Sequence, residues 1–382
     1  MTGPGVPTAG WPVWRGPNGN GSSHETGLLR TFKAGKPKVL WSAHIGEGWS
    51  TVTVANDRAF VSGSSSGTDT VAALDAKTGL PIWKFTYACP AGDYGGPRST
   101  PCMVGGFLYC VSRDGVVYAI NARTGKLGWQ RAVASETRSP MPTWGFASST
   151  LVDGNRIYVN IGASGAALDR TTGKILWSSG GGPTGYATPV KATINGKVVL
   201  AMLSGTDLIG VDPASGNKLW SYRWQTSYDV NAADPIFIGN NVFIASNYGK
   251  GGAMLSLSGS TPKLLWETRS MRNHFNTCVL HNGHMYGNDE NTLRCISVDS
   301  GSEKWALRGI GKGGLIAADG LIIVVSERGE LILLDANPNK LTEYFRGSIL
   351  NGTCWTHPTL AGGRLYARTH EGSAVCVDMK RS

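Results

Sequence analysis

A phrase of eleven residues returns along this chain at a spacing that fixes its architecture. It reads Ala-Leu-Asp-Ala-Lys-Thr-Gly-Leu-Pro-Ile-Trp at 73–83, Ala-Ile-Asn-Ala-Arg-Thr-Gly-Lys-Leu-Gly-Trp at 119–129 and Ala-Leu-Asp-Arg-Thr-Thr-Gly-Lys-Ile-Leu-Trp at 167–177. A fourth copy, Gly-Val-Asp-Pro-Ala-Ser-Gly-Asn-Lys-Leu-Trp, fills 210–220, and degenerate copies end at Trp266, Trp305 and Tyr344. From Trp41 the successive aromatic positions lie 42, 46, 48, 43, 46, 39 and 39 residues apart. That is the length of a four-stranded propeller blade. Counting Trp41 and Tyr344 there are eight such positions, so the sequence predicts an all-β, eight-bladed β-propeller of four-stranded antiparallel blades.

An orphan back half, Pro-Lys-Val-Leu-Trp at 37–41, and an orphan front half, Val-Cys-Val-Asp at 375–378, complete each other. The N-terminal strand is therefore expected to join the last blade and close the ring, which removes an exposed sheet edge. The predicted organisation is one propeller over 37–382, with 1–36 as a wrapping or capping segment.

Within the phrase, Asp or Asn opens a tight turn by accepting backbone N–H groups two residues on. The Gly of Thr-Gly supplies a left-handed residue that closes the hairpin. The Trp on the next strand is expected to act as a tryptophan-docking residue, wedged between neighbouring blades. Each ring buries roughly 150–250 Å², an upper bound of about 4–6 kcal/mol at ~25 cal/mol per Å². Gly is abundant (53 of 382 residues) and charged residues are few (16%), as a protein built of hairpins requires. Strand directions alternate, so the a–b and c–d turns share one face while the b–c hairpins and d–a loops share the other. The d–a loops vary most and end beside the channel, which is where function is expected.

Other features narrow the function classes. The net charge is +10, but the basic residues are scattered and no Lys/Arg run exceeds two, so nucleic acid is not an expected partner. No run of 18 apolar residues is present, so no transmembrane helix is expected. The first residues carry neither a basic nor an apolar signal region, which leaves a cytoplasmic chain or one that begins after a removed signal. The seven Cys include no CxxC pair, and no His or Cys spacing suits a metal. An odd number leaves at least one thiol free; one disulfide remains open, with no readable connectivity. Charged b–c hairpin tips, such as Asp289-Glu290-Asn291, read as solvated or as a weak calcium site, and Asn247–Gly252 reads as a flexible hairpin.

Six Trp fall outside the docking position: Trp11, Trp14, Trp49, Trp144, Trp224 and Trp355. Aligned just before strand a, Trp49, Arg98, Phe146, Tyr186, Asn231, Phe275 and Trp355 occupy similar places. Glu47, Tyr94, Trp144, Tyr228, Asp229, His274, Asn276, Lys312 and His357 lie beside them. The candidate ligand-binding set is Trp49, Arg98, Trp144, Tyr186, Tyr228, Asp229, Asn231, His274, Asn276 and Trp355. Aromatic rings mixed with amides and charges suit a carbohydrate ring. Any one of these residues has a structural alternative, since a residue before an inner strand also packs against the next blade. Asp229 and His274, on adjacent blades, are the candidate acid/base pair.

The repeat resembles that of the PQQ-like (pyrroloquinoline quinone) propeller superfamily over about 37–382. Trp14-Arg15-Gly16-Pro17, the stretch 228–235, Asn273-His274-Phe275-Asn276 and 363–368 resemble a bacterial, usually exported branch related to the lipoprotein scaffold of outer-membrane assembly. That resemblance implies a periplasmic or secreted, monomeric binding scaffold for a carbohydrate or protein ligand. It also brings two alternatives, a quinoprotein oxidoreductase acting on alcohols or sugars and a carbohydrate-active lyase or hydrolase. The quinoprotein dehydrogenases hold PQQ with calcium against a vicinal Cys–Cys disulfide, whereas no two Cys are adjacent here. No residue is assigned to a cofactor or a metal.

Overall fold

The computed structural model describes residues 10–89 and 92–381. Seven blades run in order through 53–88, 102–131, 151–178, 190–223, 236–268, 279–308 and 314–348, each a four-stranded antiparallel meander. The eighth takes three strands from the C-terminus, Thr359–Ala361, Arg364–Arg368 and Ser373–Asp378. Its fourth, outer strand is Val39–His44, with Trp41 opposite Cys376. The ring thus closes between the two ends of the chain, as the orphan halves require.

The repeated turn forms for the stated reason. Asp75 Oδ1 accepts Lys77 N (3.0 Å), Thr78 N (2.8 Å) and Thr78 Oγ1 (2.9 Å). Asn121, Asp169 and Asp212 repeat this arrangement. The following Gly has a second role. A Cβ on Gly79, Gly125, Gly173 or Gly216 would lie 2.5–2.7 Å from the ring of Trp41, Trp83, Trp129 or Trp177, the aromatic of the preceding blade. These four Trp donate Nε1–H to Ala76, Ala122, Arg170 and Pro213 carbonyls at 3.0–3.2 Å in that same turn. Trp266 and Trp305 do the same to Val298 and Asn337. Five of these rings, Trp266 over Gly301 included, are therefore fastened to the next blade by a face contact that only Gly permits and by one hydrogen bond, and Trp305 by its hydrogen bond.

Blade 7 departs from the sequence alignment by one residue. Every c–d pair carries a bulge just before its docking aromatic, and in blade 7 the residue after the bulge is Phe345, not Tyr344. The turn there is longer: Phe345 follows Asp335 by ten residues, against eight from Asp169 to Trp177. Phe345 meets Phe32 edge-on at 4.7 Å, and the Arg30 guanidinium lies over Tyr344. The N-terminal segment thus fills the gap between the chain ends where another blade would present a c–d turn.

That segment also enters the ring. Trp11 bridges Val54 of blade 1, and Pro12 O accepts Met103 N of blade 2. Arg15 donates to the Cys278 carbonyl at blade 6 (2.7 Å), and Ser22–Ser23 pairs in parallel with Ala317 and Ala318 of blade 7. Glu25 then accepts Gly362 and Gly363 N–H of blade 8. Contacts to blades on opposite sides mean that it spans the channel. All seven Cys are buried and unpaired. No helix among the described residues is long and apolar enough to cross a membrane.

Candidate functional site

Register locates the channel wall. From each docking aromatic, cross-strand partners lead through strands c and b to one residue of strand a: Thr53, Cys102, Leu151, Val190, Ile236, Val279, Ile316 and Thr359. Two residues earlier stand Thr51, Thr100, Ser149, Thr188, Asp234, Thr277, Gly314 and His357. Six of these form a belt in which each backbone N–H donates to the side chain of the next. The links are Thr51 to Thr100 (3.0 Å), Thr100 to Ser149 (3.0 Å), Ser149 to Thr188 (3.1 Å), Thr188 to Asp234 (2.8 Å) and Asp234 to Thr277 (2.8 Å).

Four residues before each register position stand Trp49, Arg98, Ala147, Tyr186, Ala232, Phe275, Lys312 and Trp355, one per blade. All eight line one cavity of about 330 Å³ at the d–a loop mouth. Trp144, Tyr94, Tyr248, His274 and Asn276 complete its walls, and Trp14 and Asp234 lie deeper in its lining.

Most candidates from the sequence converge here: Trp49, Arg98, Trp144, Tyr186, His274, Asn276 and Trp355 all line the cavity. Phe146 and Asn231 do not, because they sit one residue from the rim position and alternation turns them inward. Phe146 is core, and Asn231 is fully buried. The Asn231 amide donates to Ser204, Gly205 and Trp224 carbonyls and accepts Ser246 Oγ, so it holds the loop together. Tyr228 is 63% exposed and lies outside the lining. Asp229 likewise lies outside it and accepts Gln225 Nε2 at 3.0 Å. The His274 Nε2 partner is the Tyr248 hydroxyl at 3.0 Å, so among the described residues Asp229 and His274 form no acid/base pair. Tyr248 comes from the stretch 247–252, read above as a flexible hairpin; its ring packs on Tyr228 and His274. Asp289 is not solvated. It is buried between Arg272 (2.6 Å) and Arg294 (2.6 Å), which leaves its carboxylate engaged.

The aromatic wall joins the rim positions of blades 6, 8 and 1, with Lys312 of blade 7 set between the first two. Trp49 stacks on Trp355 at 4.9 Å, and Trp355 meets Phe275 at 4.9 Å. The Lys312 ammonium lies over Trp355 (4.7 Å) and Phe275 (5.5 Å). Trp355 is fixed by Nε1–H donation to Glu327 (2.7 Å), and Arg98 is spent on its own loop, donating to Tyr94 O at 2.6 Å. Burial, with Lys312 adding to it, pushes the His274 imidazole down to about 4, so it is neutral at ordinary pH. Two polar atoms of the lining residues, His274 Nδ1 and Asn276 Oδ1, have no hydrogen-bond partner. In the floor, Asp234 accepts Trp14 Nε1–H (2.7 Å) and faces Arg15 at 4.0 Å.

The donor set does not suit PQQ held by calcium. Calcium takes about six to eight oxygens. Asp234 is the one carboxylate in the lining, and it already serves Arg15, Trp14 and Thr188. Among the described residues no cluster of three His, Cys, Asp or Glu could hold a metal.

The chain matches, over residues 25–141 and 93–307, the family model described as Outer membrane protein assembly factor BamB. It is 27% identical over 293 residues to the outer membrane protein assembly factor BamB of Moranella endobia, covering 69% of this chain and 70% of that one. Among solved structures, BamB from Moraxella catarrhalis superposes with a TM-score of 0.67 at 16% identity, over 90% of this chain and all of that one. Quinohemoprotein alcohol dehydrogenase from Comamonas testosteroni superposes at 0.72 and 13% identity, over 99% and 82% respectively. These last two likenesses bear on the fold alone. The family match extends well beyond half of the sequence, and the chain belongs to the PQQ-like propeller family that this BamB model defines.

Proposed function

We propose that this protein is a non-redox propeller that serves as a binding module, holding a carbohydrate ring in the aromatic mouth of its channel. One observation carries this reading: the eight rim positions converge on a cavity walled by Trp49 stacked on Trp355 and by Phe275 beside them. Aromatic side chains lining a concave site pack against the C–H faces of a pyranose, with a few polar groups fixing its orientation. At about 330 Å³ the cavity lies at the small end of ligand sites, enough for one or two sugar rings.

Calorimetric titration with an oligosaccharide panel, beside a titration with PQQ plus calcium and a dye-reduction assay, tests it. One-to-one glycan binding with quenching of tryptophan fluorescence is the expected result. Stoichiometric PQQ binding with dye reduction would instead make the protein a quinoprotein oxidoreductase.

The family match favours a second reading, a scaffold that holds a protein partner, since relatives bear the name of an assembly factor. The same relatives support a periplasmic or secreted location. A pull-down in which free oligosaccharide displaces the partner would place both ligands at one mouth.

A further inference from the structure

We infer that the ligand of this mouth is an acidic sugar, with its carboxylate on Lys312 and its ring against Phe275, Trp355 and Trp49. This rests on the carbohydrate reading and names its class. Lys312 occupies the rim position of blade 7, between the aromatic rim residues of blades 6 and 8. Its ammonium lies over both rings and forms no ion pair among the described residues. A lysine held at a cavity wall without a carboxylate partner keeps its charge available to a ligand.

The remaining charges of the cavity do not cancel it. Arg98 is the other rim cation, and Asp234 is matched by Arg15 behind it. Glu327 is the acid that touches both rim residues, and its oxygens accept Trp355 Nε1–H and the Lys312 backbone N–H. The mouth is therefore net positive, with the free cation held over the Trp355 and Phe275 rings at the wall itself. A carboxylate carried on an apolar-faced pyranose matches a free cation set in an aromatic wall.

The test uses galacturonic acid tetramer and its methyl ester, which share ring and linkage and differ in charge, with mannuronate and glucuronate tetramers and neutral tetramers beside them. The free acid is expected to bind about tenfold or more tightly than the ester, the worth of one charge-assisted hydrogen bond, and to weaken as salt rises. Lys312→Met should abolish that preference and Lys312→Arg should retain it, with melting temperatures checked for each. Equal binding of acid and ester, neutral sugars bound in preference to every uronate, or a preference that survives Lys312→Met, would overturn the acidic-sugar inference and leave the carbohydrate reading standing. Failure of every acidic and neutral oligosaccharide to bind would overturn both.

Discussion

Replacing Asp234 by Ala should be among the most damaging single changes to the channel. The Asp234 and Arg15 side chains are 4% and 3% exposed. Asp234 pKa is raised and Arg15 pKa lowered, and for both the first cause is burial, which outweighs the attraction between them. The pair is thus costly to bury but more costly to break. Asp234→Ala strands a buried guanidinium with only Asn20 and Cys278 carbonyls, and leaves Trp14 Nε1–H and Thr188 N–H without their acceptor. An uncompensated buried charge of this kind costs about 3–5 kcal/mol. At about 2.1 cal/mol/K per residue of unfolding entropy, that lowers the melting temperature of a chain this long by about 4–6 °C. Removing both charges in Arg15→Met/Asp234→Ala should recover most of the loss, because burial dominates both groups. Urea unfolding followed by tryptophan fluorescence reads all three proteins. A single variant within about 1 kcal/mol of the parent, or a double variant no better than the single, would refute the reasoning.

The other predictions concern the blade joints, acid stability and the mouth. Trp177→Ala should cost about 3–5 kcal/mol as a large-to-small change. Gly216→Ala should cost upwards of about 1–2 kcal/mol, since its φ is +76° and its Cβ would lie 2.5 Å from the Trp177 ring; the double variant should cost less than the sum. His357 is buried, donates Nδ1–H to the Leu315 carbonyl (2.9 Å), and is pushed down to about 3 by burial and Arg15. Its folded pKa lies below its unfolded value near 6.5, so its contribution is complete above that pH and lost as pH falls toward about 3. Over that window it amounts to at most about 5 kcal/mol, and His357→Gln should flatten the acid limb of a stability–pH curve. Trp355→Ala should weaken oligosaccharide binding by about tenfold or more while melting changes by only a few degrees; a collapse in melting would place this ring in the core instead.

What could be read in advance follows from periodicity. The docking phrase gives the ring because each copy must make the same turn and meet the same neighbour. The rim is less legible because the d–a loops differ in length, so an alignment on loop residues lands one position off at Phe146 and Asn231, which are buried. The missing signal was register: counting four residues back from the strand a partner of each docking aromatic finds Lys312 and Phe275 as securely as Trp49. Tyr248 could not be found that way, since it comes from a b–c hairpin whose Gly content hid an ordered tyrosine. Trp14 was hidden for a different reason: no repeat constrains the N-terminal segment, and only the fold shows that it threads the channel.

Eight copies of one design also serve as an internal control. At the belt position five blades carry a hydroxyl, and three do not: Asp234, Gly314 and His357. Were the belt purely structural, any departure would be expected to fall without pattern. Instead they act together. Asp234 receives Trp14 Nε1–H and faces Arg15, and His357 packs edge-on against Trp14 at 5.2 Å. A Cβ on Gly314 would lie within 2.7 Å of the Thr356 and His357 backbone, so Gly lets that strand close up. The three exceptions thus build the seat of the Trp14-Arg15 pair, which floors the cavity. The rim varies in the same concerted way. Two of its positions are alanines, Ala147 and Ala232, and its one lysine stands between two aromatic rings. The symmetry of the ring is thus broken at both levels of one cavity, which is where departures from local consistency mark a functional site.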